Sequence, residues 1–134
     1  MRTLPNGLTV FNATPHVIRF WREGWDGPIE VEADEIVSAS VAEADVEHLL
    51  AGQVGFNINC DNVVATLVHT TFTPTGKGAE VVARAKVAGA DVIVGSIIAA
   101  QAYPGAVVAM TPAPGYERVP PAEKRMNPDK FTVF

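Results

Sequence analysis

Residues 91–111 constrain the fold of this chain most strongly. Asp91-Val92-Ile93-Val94-Gly95 reads as a short buried strand, Ser96 to Tyr103 as a helix stopped by Pro104-Gly105, and Ala106 to Thr111 as a second strand. Strand, helix and strand in about twenty residues is compact for a parallel crossover, whose connection needs about a dozen. Such a unit predicts a sheet with helices packed on it, in an α/β or α+β domain.

The rest of the chain is consistent with that frame. Leu8 to Asn12 alternates, and the β-branched and aromatic run His16 to Trp21 follows Thr14-Pro15. Ile29, Val31 and Ala33 then alternate with Glu30, Glu32 and Asp34, so two or three antiparallel strands are expected at the start. Ile36 to Ser40 is expected to extend that sheet. Ala42 to Ala51 reads as a short helix with Val46, Leu49 and Leu50 as its stripe, and Gly55 to Asn62 as a loop or irregular strand. Val63 to Val68 has the composition of an interior strand, and Ala79 to Ala88 that of a helix. Thr111 to Pro121 holds four prolines and predicts an extended arm, while Phe131-Thr132-Val133-Phe134 is expected to close a sheet edge. The expected fold class is α/β or α+β: a single domain over residues 1–134, with a mixed sheet, an N-terminal antiparallel part and two or three short helices. With 48% hydrophobic and 19% charged residues, wholesale disorder is excluded.

Charge is unevenly placed. Nine acids and no Lys or Arg lie between Glu23 and Glu47, in a chain of net charge −5. The remainder is net positive and able to attract an anion locally. The overall balance argues against a sequence-independent grip on nucleic acid, which needs a clustered cationic face. The single cysteine, Cys60, excludes a disulfide framework within the chain, and its neighbour Asp61 disfavours a reactive thiolate. No apolar run reaches the length of a membrane-spanning helix, and the first residues lack a signal-peptide core. A cytoplasmic location is therefore expected.

Three segments carry the candidate chemistry. In Asn12-Ala13-Thr14-Pro15-His16, Pro15 stiffens a corner between two strands; Asn12 either caps local amides or, with His16 projecting, touches a ligand. Thr70 to Gly78 places hydroxyls, glycines and Lys77 between a strand and a helix, where anions gather. Its spacing is not that of a Walker A loop, and a capping turn with Thr75 as N-cap competes with the anion site. In Gly95-Ser96, Ser96 caps the following helix, without the pattern of a nucleophile elbow. His16, His48 and His69 show no metal-ligand spacing, and no motif asks for a cofactor. His69, expected at a strand end beside Thr70, is read either as a hydrogen-bonded core-edge histidine or as a residue reaching a ligand. Arg118, Lys124 and Arg125 are the remaining cations suited to a phosphate.

The run Asn12-Ala13-Thr14-Pro15-His16-Val17-Ile18, with Val92-Ile93-Val94-Gly95-Ser96 and Ala100-Gln101, resembles a family of short phage and prophage proteins. Those open with Asn-x-Thr-Pro-His before an aliphatic strand and later carry a strand followed by a small-residue helix. The Pro-rich stretch after Thr111 departs from their pattern. More remotely, size and layout resemble phage sponge proteins that sequester nucleotide immune signals, with no shared residue motif. The expectation is a phage-type accessory protein, in the host cytoplasm, that binds a small anionic, nucleotide-like ligand without catalysis. Its site would draw on His16, His69, Thr71, Lys77 and Ser96, with Arg118 or Arg125 from an adjoining subunit of a homo-oligomer. A virion or assembly component is the alternative. A phosphodiester-cleaving enzyme using His16 or His69 is disfavoured, because no second acid or base is positioned by spacing.

Overall fold

The computed structural model describes residues 1–54 and 62–134. Cys60, and the irregular segment expected between Gly55 and Asn62, lie outside the described residues except for Asn62 itself. The chain divides into two compact units, one of residues 1–40 and 73–134 and the other of residues 41–72.

The first unit is built on a seven-stranded mixed sheet. Its strands are β1 (Arg2–Thr3), β2 (Thr9–Asn12), β3 (Ile18–Phe20), β4 (Ile29–Val31), β7 (Val92–Val94), β8 (Val107–Pro112) and β9 (Met126–Thr132). Two further strands, β5 (Ala39–Leu50) and β6 (Val63–Pro74), form a separate two-stranded sheet. The helices among the described residues are α1 (Gly76–Val87) and α2 (Ile97–Ala102), with short 3₁₀ turns at Ala51–Val54 and Pro121–Glu123.

The order across the large sheet is β1-β2-β7-β8-β9-β3-β4. The crossover expected at 91–111 is present: β7 and β8 are parallel, with Ile93 opposite Val107, and α2 connects them. The antiparallel start takes a different form from that expected. β2 pairs antiparallel with β1 and parallel with β7, whereas β3 pairs antiparallel with β4 and parallel with β9. The N-terminal strands thus form the two edges, and the C-terminal strands fill the middle. Strand β9 is correspondingly interior rather than an edge, because its two sides are taken by β8 and β3. Pairing on both sides is favourable for a strand whose two flanks would otherwise expose unpaired backbone.

Alternation decides the core. Val10, Val94, Ile18, Phe20 and Val31 are buried on one face of the sheet together with Leu4, and Val108, Met110 and Phe131 pack against them. Phe20 meets Phe131 with ring centroids 6.1 Å apart, tilted by 57°, a favourable aromatic geometry. α2 packs on β8 through small residues. A Cβ on Gly95 would come within 2.7 Å of Val107 Cγ1 and 3.1 Å of Ala99 Cβ, so glycine is what lets the strand-to-helix turn sit this close.

The second unit overturns two expectations. Residues 42–50 are strand, not helix. Alanine and glutamate favour helix locally, but a β-branched partner strand was available, and cross-strand pairing outweighs a propensity difference of a few tenths of a kcal/mol per residue. Nor is Val63–Val68 interior. It belongs to a twelve-residue strand whose Val63, Val64, Leu67 and Val68 are exposed. Val- and Thr-rich composition reports a fit to pleated backbone, and burial does not follow from it.

Candidate functional site

The corner after β2 is built by one side chain. Asn12 is fully buried, and its amide donates to the His16 carbonyl at 2.6 Å and the Val31 carbonyl at 2.9 Å. Its Oδ1 accepts from the Thr14 N–H at 3.0 Å and the Thr14 hydroxyl at 2.7 Å. The Asn12 backbone is bonded on both sides to Asp34, whose carboxylate accepts at 2.8 Å and whose N–H donates at 2.9 Å. Every strong hydrogen-bonding capacity of the Asn12 amide is used within the protein. It holds the corner and leaves nothing for a ligand, while Pro15 and His16 project outward and are exposed.

A second wall comes from the next strand. Ala13 N–H donates to the Val94 carbonyl at 2.8 Å, which ties the corner to the end of β7. Gly95-Ser96 follows there. The Ser96 hydroxyl oxygen accepts from the Ala99 N–H at 3.1 Å and caps α2, leaving its own O–H as a donor. The carboxyl ends of adjacent parallel strands are where α/β sheets leave ligand crevices.

The third wall is the segment between β8 and β9. Arg125 is clamped between two rings, its guanidinium carbon 5.2 Å from the Trp21 centroid and 5.0 Å from that of Tyr116. Those rings meet edge to face at 5.7 Å, and the Arg125 carbonyl accepts from Ala113 N–H at 2.8 Å. The Pro-rich stretch therefore folds back on its own unit. Stacking of this kind fixes the backbone on either side of Arg125.

These walls enclose a cavity of about 420 Å³ lined by Thr14, Pro15, His16, Ile18, Arg19, Ser96, Met110, Lys124 and Met126, among others. Its floor is apolar and sulfur-rich. Its rim carries Arg19, Lys124 and the His16 imidazole, and among the described residues no carboxylate lines it. Arg19 Nε donates to Glu30 at 3.3 Å, which leaves its terminal nitrogens available. Among the described residues the Lys124 ammonium has no protein partner. An adjoining hollow of about 550 Å³ shares Arg19 and Lys124 but adds Glu123, which would oppose an anion. Elsewhere, the Glu35 carboxylate grips Arg84 through contacts of 2.9 and 3.1 Å. The side-chain hydrogen bond, and then the charge of Glu35, raise the Arg84 pKa above its ordinary value.

No protein-family model, curated protein or solved structure matches the chain.

The structure brings His16 and Ser96 together at one cavity, with Lys124 beside them. Arg125 sits in its ring clamp and lines the adjoining hollow, and Arg118 is exposed in the loop before it. Lys77 is exposed in the first turn of α1, a turn occupied by its own structure. Thr75 Oγ1 accepts from Gly78 N–H at 2.9 Å and bonds the Ser38 hydroxyl at 2.9 Å. The Tyr103 hydroxyl donates to the Ser38 carbonyl at 2.8 Å and accepts from Thr75 N–H at 3.0 Å. A Cβ at Gly78 would collide with that hydroxyl. His69 and Thr71 lie on β6 in the other unit, both exposed. Arg19, Met110 and Met126 were not singled out from sequence. Alternation in His16–Trp21 puts Arg19 opposite Ile18 and Phe20, but nothing in it shows that β9 and the 121–126 segment come alongside. Among the described residues no three His, Cys, Asp or Glu side chains are grouped to hold a metal ion, and no helix is long and apolar enough to cross a membrane.

Proposed function

We propose that the chain is a phage-type accessory protein that binds a small anionic, nucleotide-like molecule in this cavity without chemically altering it. The observation that supports it is the lining: an apolar floor of Ile18, Met110 and Met126 beneath a rim with two cations, an imidazole and a hydroxyl donor and, among the described residues, no carboxylate. Its volume lies within the range of small-molecule sites, which pair an apolar surface with a few placed polar groups. A planar base suits the methionine floor, whose polarizable sulfurs contact rings favourably. A phosphate suits Arg19 and Lys124, and the Ser96 O–H supplies a directional contact. Sequestration of a nucleotide signal, as in the phage sponge proteins, is one use of such a site.

Isothermal titration against a panel of linear and cyclic nucleotides tests this. Saturable binding is expected, weakened at least tenfold in Lys124→Glu, with the nucleotide recovered intact. No heat across the panel, or binding indifferent to Lys124→Glu, argues against the proposal.

A virion or assembly role is the second reading. One observation favours it: the long exposed ribbon of β5 and β6, a form suited to subunit contacts.

A further inference from the structure

Strand β6 has twelve residues and, among the described residues, pairs only with β5. The other edge of β6 therefore presents a row of unpaired backbone N–H and C=O groups. A two-stranded ribbon is marginal by itself, and three or more strands are the usual condition for stability. The two strands of this ribbon differ in how they treat their edges. Glu43, Asp45 and Glu47 stand along the middle of β5, on one face by the two-residue period of a strand. From Val63 to Pro74, β6 carries no Asp, Glu, Lys or Arg, and most of it is Val or Thr.

The contacts between the strands set their sense. Ala51 N–H donates to the Asn62 carbonyl at 2.9 Å, His48 Nδ1 lies 3.0 Å from Thr66 Oγ1, and the Thr71 hydroxyl reaches the Ala42 carbonyl at 3.4 Å. Positions rise on one strand as they fall on the other, so the pair is antiparallel. The His48–Thr66 contact also puts the side chain of Val46 on the same face as that of Val68.

We propose that the free edge of β6 pairs with the same edge of a second copy of this chain, giving a four-stranded sheet in the order β5-β6-β6-β5 about a two-fold axis. Symmetry and charge select this occupant. A two-fold contact sets a patch against itself. Through β5 it would bring Glu43, Asp45 and Glu47 toward their own counterparts, and opposed like charges are destabilising in a sheet. Through β6 no charge meets another, and an antiparallel pairing is what a two-fold axis generates. Full overlap of two such strands forms about twelve main-chain hydrogen bonds, within the range of a standard protein interface. Val64, Leu67 and Val68, between 40% and 47% exposed, gain cross-strand neighbours. Pro74 has no N–H and ends the ladder. This proposal is confined to the ribbon and is independent of the cavity described above.

Sedimentation equilibrium on the full chain, joined to hydrogen exchange, is the test. The expected mass is twice the 14.2 kDa of one chain, halving in the double variant Leu67→Lys, Val68→Lys and unchanged in Val46→Lys on β5. In the unaltered protein, amides of 63–74 are expected to exchange more slowly than those of 39–50, and to lose that advantage on dilution. The exchange arm needs no variant, so a misfolded double variant leaves the proposal testable. A monomer at the highest soluble concentration overturns it, as does equal protection of the two strands. Loss of the dimer in Val46→Lys also overturns it, and assigns the contact to the ribbon face shared with Val68 instead.

Discussion

The two units use the same residue types to opposite ends. In the seven-stranded sheet Val10, Val31, Val94 and Val107 are buried, while in the ribbon Val41, Val46, Val63 and Val64 remain about half exposed or more. Both sets are β-branched and both form strands. What separates them is cover: the sheet has a packed apolar face in which Phe20 and Ile18 share the load, and among the described residues each ribbon strand pairs only with the other. β-branching specifies backbone shape, and burial is decided by what else the chain can place alongside.

That contrast is most easily broken at Phe20. Phe20→Ala removes a fully buried ring from the sheet core and is expected to cost about 3–5 kcal/mol in urea unfolding. A loss under about 1 kcal/mol would show that this face is not the source of the first unit's stability. Asn12→Ala is expected to cost about 2–3 kcal/mol, because the Val31 and His16 carbonyls and the Thr14 N–H all lose their partner. The same variant should weaken nucleotide binding through the displaced corner, although Asn12 touches no ligand itself. Gly95→Ala should cost about 1–3 kcal/mol by forcing Val107 or Ala99 to move, read as a lowered urea midpoint. At the cavity, Lys124→Ala is expected to weaken anion binding about tenfold, ~1.4 kcal/mol, with unfolding unchanged. The smallest effect belongs to the ribbon: Val46→Ala should change stability by less than about 0.5 kcal/mol, since that side chain is 69% exposed. A large loss there would mean that the ribbon buries Val46 in solution.

How far the sequence disclosed these features varies with the residue. The crossover at 91–111 was legible because strand, helix and strand each carried a local signal: an aliphatic run, a capping serine at 96, and Pro104-Gly105. Alternation in Leu8–Asn12 separates Leu8, Val10 and Asn12 from Thr9 and Phe11, and of these five Val10 and Asn12 are the buried ones. Strand order was not legible. The register that places β9 between β8 and β3 depends on contacts such as Phe20 with Met126, separated by most of the chain. The ribbon misled in both strands. Residues 42–51 fit a helical stripe as well as a strand, and the Val63–Val68 run looks alike whether covered or exposed.

For the cavity, residue chemistry was readable and convergence was not. His16 and Ser96 stood out as polar residues at strand ends, and Lys124, with Arg118 and Arg125, as a cation suited to a phosphate. Thr75 was legible as a helix cap, and the capping geometry accounts for that turn. Nothing local linked Arg19 to Met126. Their approach follows from the parallel pairing of β3 with β9, a long-range event.

The proposed function requires an anion in the hollow beside the Asn12 corner. Backbone amide shifts of the isotope-labelled chain, followed during titration with adenosine monophosphate and cyclic dinucleotides, test it most directly. Saturable changes are predicted at residues 14–19, 95–96 and 124–126 with at least one of these probes. Changes centred on Lys77 or on His69 and Thr71, or none with any probe, would contradict it.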